Sequence, residues 1–459
     1  MPALSVLHCL LRTGKPEHFH GNMLNLNLKK TMKKYFIYLA SAAMLLATSC
    51  AKEEVNTTGE TELITVQLNP ETKTALSGMA TVWSEGDAVS VTVGGKNIGT
   101  LELVEGNTFS GEIEAGHDGE AVLNYPAGVT SVPAEQAAVV GTFANGAALL
   151  EGTTTVAALR AGTGATLQNQ TALLQFQTPV AGDVAFTIGS TTYTVTGCET
   201  GKTYYACVDP ENTGKLTYTV GIVLGGKEAS SFTPVANKIH PLGTLTLKES
   251  QYGVIGNTGD WGDEADIKMY ETTEDNFYVA YGVEVTSGFK VRKAGAWDNN
   301  YNFGTTSITA KSANSIVGVY TDGGSTDINV TNGTYDIYFD RLKGQVYIMT
   351  PGTSHETATK PTPTSYYSLA GSFTGGGWDD TVAMNYSGDG IWTNVQTFAA
   401  NNEFKVKNKG NWDASWGYNN VFPGQDLVSN SNGNAKLKAA GTYIVGFYKT
   451  GNKITLVKK

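Results

Sequence analysis

The sequence predicts an all-β protein made of several β-sandwich domains in tandem. Three observations carry that expectation. Short runs alternate apolar and polar residues, as in LITVQL, AVSVTV, TYTVTG, TYDIYF and TYIVGFY, with Gly or Asn/Asp turns between them. This is the period of half-buried antiparallel strands. No amphipathic helix longer than about three turns is predicted. A ten-residue pattern also occurs twice, as FKVRKAGAWD at 289–298 and FKVKNKGNWD at 404–413, so part of the chain is a repeat. The length behind an export signal allows about three or four domains.

Residues 1–31 read as an upstream extension outside the expected fold. Residues 32–49 read as an export signal. Lys33 and Lys34 form its charged region, Tyr35 to Ala47 its apolar region, and small residues lead into Cys50. The apolar run is too short for a membrane span. A cysteine directly after small residues resembles a bacterial lipobox. The resemblance implies lipidation at Cys50; the alternative is a plain secretory signal with an unused cysteine. Residues 50–61 are polar and acidic and read as a flexible tether. Lys52-Glu53-Glu54 resembles the export tag of bacterial starch-utilisation lipoproteins, which implies the outer face of the outer membrane.

Residues 62–247 read as one β region, either a single sandwich or two with a break near 160. The stretch Trp83-Ser-Glu-Gly-Asp87 with its following strand, and the closing ASSFTPVANKIHPLGTLTL, resemble fimbrillin-like domains. That family implies transthyretin-like sandwiches and a role as fimbrial subunit or surface spacer. Trp83 is expected in the core. Cys198 and Cys207 flank the turn ETGKT, which leaves a cross-strand disulfide and two free, half-buried thiols both open.

Residues 252–350 and 366–459 read as two copies of one module. Gly256 and Gly371, Met269 and Met384, Phe289 and Phe404, and Trp297 and Trp412 keep one offset. Between the copies, residues 351–365 are rich in Pro and Thr, a composition that predicts a semi-stiff spacer rather than a packed segment.

Strand alternation places Phe289 and Val291 on one face of the FKVR strand and Lys290 and Arg292 on the other. Burial of the apolar pair then predicts exposed cations, and the same holds for Lys405 and Lys407 beside Phe404 and Val406. Trp297 with Tyr301, and Trp412 with Trp416, follow in a loop as pairs of flat aromatics. Trp261 and Trp378 stand in the loop after each module's first strand. Sugar-ring C–H faces stack on indole, and covering roughly 50–80 Å² gives about 1–2 kcal/mol per ring. Lys, Arg, Asn and Asp supply partners for the hydroxyl rim. The opposing expectation is that the tryptophans are core residues and Lys290 and Lys405 solvated cations.

GNTGDW, FKVRKAGAWDNNYNFG and the terminal hairpin resemble the immunoglobulin-like carbohydrate-binding modules of the SusE and SusF starch-binding outer-membrane lipoproteins. The resemblance covers both C-terminal copies. It implies α-glucan stacking on a loop tryptophan and a second aromatic, with the cations of the FK strand bonding hydroxyls. The residues so nominated are Trp261, Lys290, Arg292, Trp297 and Tyr301, then Trp378, Lys405, Lys407, Trp412 and Trp416. It also implies a SusC/SusD-like transporter as partner. The family's Asn-Tyr-Gly run is here Asn300-Tyr301-Asn302, and Ser415-Trp416-Gly417 in the second copy.

Other function classes fare worse. The net charge of −10 argues against nucleic acid and against docking on anionic lipid. Asp260, Asp263, Glu264, Asp379 and Asp380 sit in turn loops without the cleft a glycosidase needs. No nucleophile elbow, phosphate loop or metal-ligand spacing is present, so no enzyme, cofactor or metal is expected. A structural adhesin or fimbrial subunit is the alternative function.

Overall fold

A computed structural model describes residues 59–70, 83–297, 310–319, 327–363, 365–373, 377–379, 382–409, 411–423 and 425–459. Cys50, the signal at 32–49, Tyr301 and Asp380 lie outside the described residues. The chain divides into two units at Glu60 and Thr61, and the first is described only at Gly59 and Glu60. The regular structure of the second is almost all strand, arranged as several sheets in tandem, which is the predicted class. Among the described residues the α-helix Val156–Arg160 is a single short turn, capped by Thr155 Oγ1 accepting from the Ala158 amide. No helix among them is long and apolar enough to cross a membrane.

The N-terminal strand Thr61–Pro70 buries Ile64, Val66 and Leu68 on alternate positions. Its first part pairs antiparallel with Thr108–Glu114, and residues 68–70 pair parallel with Ala165–Leu167. One long strand thus has two partners and closes a seven-stranded barrel that ends at Asn169. Closure depends on missing side chains: a Cβ at Gly164 would lie 1.7 Å from the Gln67 carbonyl oxygen, and one at Gly111 2.1 Å from that of Thr100. Trp83 edges onto Phe109 and Tyr125 and donates from Nε1 to the Leu68 carbonyl, as a core aromatic does.

The chain then builds two sheets. One contains Gly182–Ile188, Thr191–Cys198 and Gly214–Val220; the other is Thr203–Val208, Ala172–Gln177 and Ile239–Thr244. Phe176 and Phe186 meet edge to face at 4.9 Å across them. The ETGKT turn hands the chain from one sheet to the other, so Cys198 and Cys207 are not ladder neighbours. Both are free and buried. Burial pushes both thiols up to about 12, which keeps them protonated and inert.

The first C-terminal copy is a seven-stranded antiparallel sheet. The second has two facing sheets around Tyr367, Trp392, Phe404 and Phe447. The repeat holds at the level of register. Val254 pairs with Val291 and Ile255 with Lys290; Leu369 pairs with Val406 and Ala370 with Lys405.

Within the 351–365 segment, residues 355–359 are docked on the first copy, which corrects the spacer expectation there. His355 lies against Phe277, Tyr338 and Tyr347 with centroids 4.6, 5.1 and 5.7 Å away. Ala358 is buried and Thr359 bridges to Ser315. Pro/Thr composition reports the segment's own stiffness and not the aromatic surface that receives its histidine. The two copies also meet directly. Asp389, at a hairpin tip of the second, pairs with Lys311 Nζ at 2.8 Å and accepts from the Gly318 amide at 3.0 Å. Gln345 Nε2 donates to the Ser387 carbonyl at 3.0 Å, and Arg341 Nη2 to that of Lys458 at 2.6 Å. A Cβ at Gly318 would stand 2.2 Å from the Gly388 carbonyl oxygen, so the two backbones touch.

Candidate functional site

The FK strands bury Phe289 and Val291, and Phe404 and Val406, as alternation predicts. Their other face is not open to water. Lys290, Arg292 and Lys407 are buried, which corrects the expectation of exposed cations, while Lys405 is half-buried. The reason is a cover that alternation cannot see. At Arg292 the loop after the first strand folds over the second face, and the turn at Gly295 closes upon it.

Arg292 shows the consequence. Its Nε donates to Asp266 Oδ1 at 2.9 Å and its Nη2 to Oδ2 at 2.6 Å, a bidentate fork. Nη2 also reaches the Gly262 carbonyl at 3.3 Å. The Gly295 amide donates to the same Asp266 carboxylate at 3.0 Å, so one acid fixes both the cation and the turn that leads to Trp297. Above the guanidinium sits the Trp297 ring, 4.0 Å from its carbon. Trp297 Nε1 donates to Asp263 Oδ1 at 3.1 Å.

Trp297 is 42% exposed and lies 6.1 Å from Trp261 at an interplanar angle of 40°. Trp261, half-buried, lies on the bare backbone of Gly256, where a Cβ would come within 2.3 Å of the ring. Gly256 also has φ +84°, so two independent requirements select glycine.

The second copy repeats the arrangement. Trp378 and Trp412, 37% and 43% exposed, are again 6.1 Å apart at 40°. Lys407 Nζ lies 3.8 Å from the Trp412 ring centroid, where the first copy has Arg292. Each pair is a shallow trough of two indole faces with a buried cation behind one ring.

The structure therefore groups Trp261, Arg292 and Trp297, and separately Trp378, Lys407 and Trp412. It does not join Trp416 to Trp412. Both lie on the strand Asn411–Trp416, where four residues span about 13 Å. Trp416 packs on Tyr367 and Phe447 at 5.6 and 4.7 Å, with Lys449 Nζ 5.1 Å from its ring. Lys290 is near enough to Asp327 for its charge to hold that carboxyl down, against the burial that pushes it up. Sequence reasoning missed Asp266 and the role of Asp263. The usable signal was chemical: a buried arginine demands a carboxylate, and the adjacent DEADIK run offers one. Asp260 acts as a turn former, accepting from the Gly262 amide at 2.9 Å.

No family model and no curated protein matches the chain. Among solved structures it is similar to SusF from Bacteroides thetaiotaomicron at 15% identity, covering 63% of this chain and 76% of that one, with a TM-score of 0.18. A protein from Bacteroides ovatus named for cell adhesion aligns at 12% identity over 42% of this chain and 96% of its own, TM-score 0.27. A fimbrial protein from the same organism aligns at 12% over 44% and 56%, TM-score 0.26. At these values neither shared ancestry nor a shared ligand follows.

Proposed function

We propose that this protein binds a polysaccharide, with starch or another α-glucan favoured, without catalysis, through the two indole troughs. The carrying observation is the repeated pair geometry, 6.1 Å and 40° in both copies, with exposed rings in each. Core tryptophans have no reason to be splayed and water-accessible twice. A trough of two tilted faces suits a curved chain of sugar rings, and the exposed Asp263 carboxylate offers an acceptor at the rim. The cations act from behind the rings: they hold indole orientation, and Asp263 supplies hydroxyl chemistry in their place. Open, shallow sites of this kind bind at millimolar to micromolar levels, about 4–8 kcal/mol.

In this reading Cys50 carries a lipid that holds the protein on the outer face of the outer membrane. Residues 62–247 raise the modules from the surface, and a SusC/SusD-like transporter receives the glycan. The adhesin reading draws on the N-terminal region, whose single tryptophan, Trp83, is committed to the core. Affinity electrophoresis in amylopectin, glycogen, inulin and xylan gels decides between them. Retardation by amylopectin that disappears in Trp297→Ala plus Trp412→Ala supports glycan binding; equal mobility in every gel overturns it in favour of the adhesin.

A further inference from the structure

The two copies and the segment between them enclose a half-open groove of about 690 Å³, within the usual range of small-ligand sites. Its floor is made by the buried side chains of Ile316 and Tyr347, and one wall by half-buried Tyr386 of the second copy. Charges stand on the rim: Glu274 and Glu356 against Lys343 and Lys360, all exposed. The signs balance, and Lys343 is already paired with Asp340 at 2.8 Å. An ionic ligand of either sign therefore gains little, whereas a neutral ligand with many hydroxyls finds donors, acceptors and an aromatic floor together.

The walls are fixed in advance. His355, clamped among three aromatic rings, holds the connecting segment in place. The Lys343 carbonyl accepts from Thr393 Oγ1 at 3.0 Å and also from Ser387 Oγ, so the rim of the first copy is tied to the second. Pre-set walls spare a ligand the cost of ordering them.

We propose that this groove is a third binding site, for a short neutral saccharide. Its ligand class comes from the groove's own chemistry and does not depend on the indole troughs. The test uses the full chain carrying Trp297→Ala and Trp412→Ala, titrated calorimetrically with maltotriose and with glucose. A second protein adds Glu356→Ala and Lys360→Ala, two exposed positions outside the core, with its thermal unfolding recorded beside that of the first. The expected result is saccharide binding in the first protein and at least a tenfold weaker affinity in the second. Absence of binding in the first protein, or equal affinity in both, overturns the groove. Amylopectin retardation of the wild-type chain is scored in parallel, so failure of the troughs and failure of the groove are read separately.

Discussion

Arg292 lies wholly buried beneath Trp297, its guanidinium carbon 4.0 Å from the indole centroid. A cation hidden under an exposed ring is a support, not a ligand contact. It converts a question about sugar hydroxyls into one about which carboxylate holds the arginine. Asp266→Asn leaves that charge without its fork. Breaking a buried pair from one side costs about 3–5 kcal/mol, so a lowered unfolding transition is expected, with Trp297 fluorescence shifted. Arg292→Met with Asp266→Leu should recover much of the stability. A double variant no more stable than Asp266→Asn alone argues against the pairing.

Trp412→Ala and Trp416→Ala should separate cleanly. Removing the exposed ring costs one stacking contact, about 1–2 kcal/mol or roughly 5–30-fold in affinity, with little change in thermal unfolding. Removing Trp416, packed on Tyr367 and Phe447, should lower the melting temperature by the equivalent of about 3 kcal/mol. Denaturation and gel retardation on the two variants check both halves.

Gly256→Ala tests how the first trough is seated. The new methyl meets the Trp261 ring at 2.3 Å and sits on a backbone at φ +84°. Near-ultraviolet dichroism should show a displaced indole, and amylopectin retardation should fall. An unchanged spectrum would mean the ring does not rest on that glycine.

His355 gives the connecting segment a pH dependence. Burial lowers its pKa from 6.5, offset in part by Glu274, Glu356 and Asp340, while Lys343 adds to the lowering. A folded pKa below the unfolded one means the unfolded state takes up the proton first. The docked segment is then fully stable above about pH 6.5 and loses stability as pH falls through that value toward the folded pKa. Hydrogen-exchange protection at residues 355–359, after division by the intrinsic exchange rate at each pH, should fall between pH 7 and pH 5 in the wild type and much less in His355→Phe.

Much of this was readable in advance. The alternation in LITVQL and the paired FK strands locate strands and core faces, because period and burial are local properties. The repeat is legible as a constant offset, and the structure extends it to strand register, since Val254–Val291 and Leu369–Val406 occupy matching positions. What alternation could not supply was the identity of the far side. A strand's second face can meet water or a covering segment, and only the path of that segment decides, which is why alternation predicts exposure for Lys290, Arg292 and Lys407 and the structure buries them. The barrel closure escaped for the same reason, as it depends on residues 68–70 finding a partner at 165–167.

Asp389→Ala together with Gly318→Ala should unseat the second copy from the first. One change removes the pairing with Lys311 and the Gly318 amide, and the other forces the Gly388 backbone away. Small-angle scattering should report a longer and more variable particle, and affinity for long chains should fall toward that of one trough, a loss of up to about a hundredfold.

In the glycan-binding reading, that contact between Gly318 and Gly388 makes a gauge of the two troughs. Arms joined by a loose tether would accept any polymer able to reach both. Welded troughs reward only chains whose coil brings the right stretch back after a set number of sugars, so selectivity would be written in the pitch of the polymer rather than in any single ring.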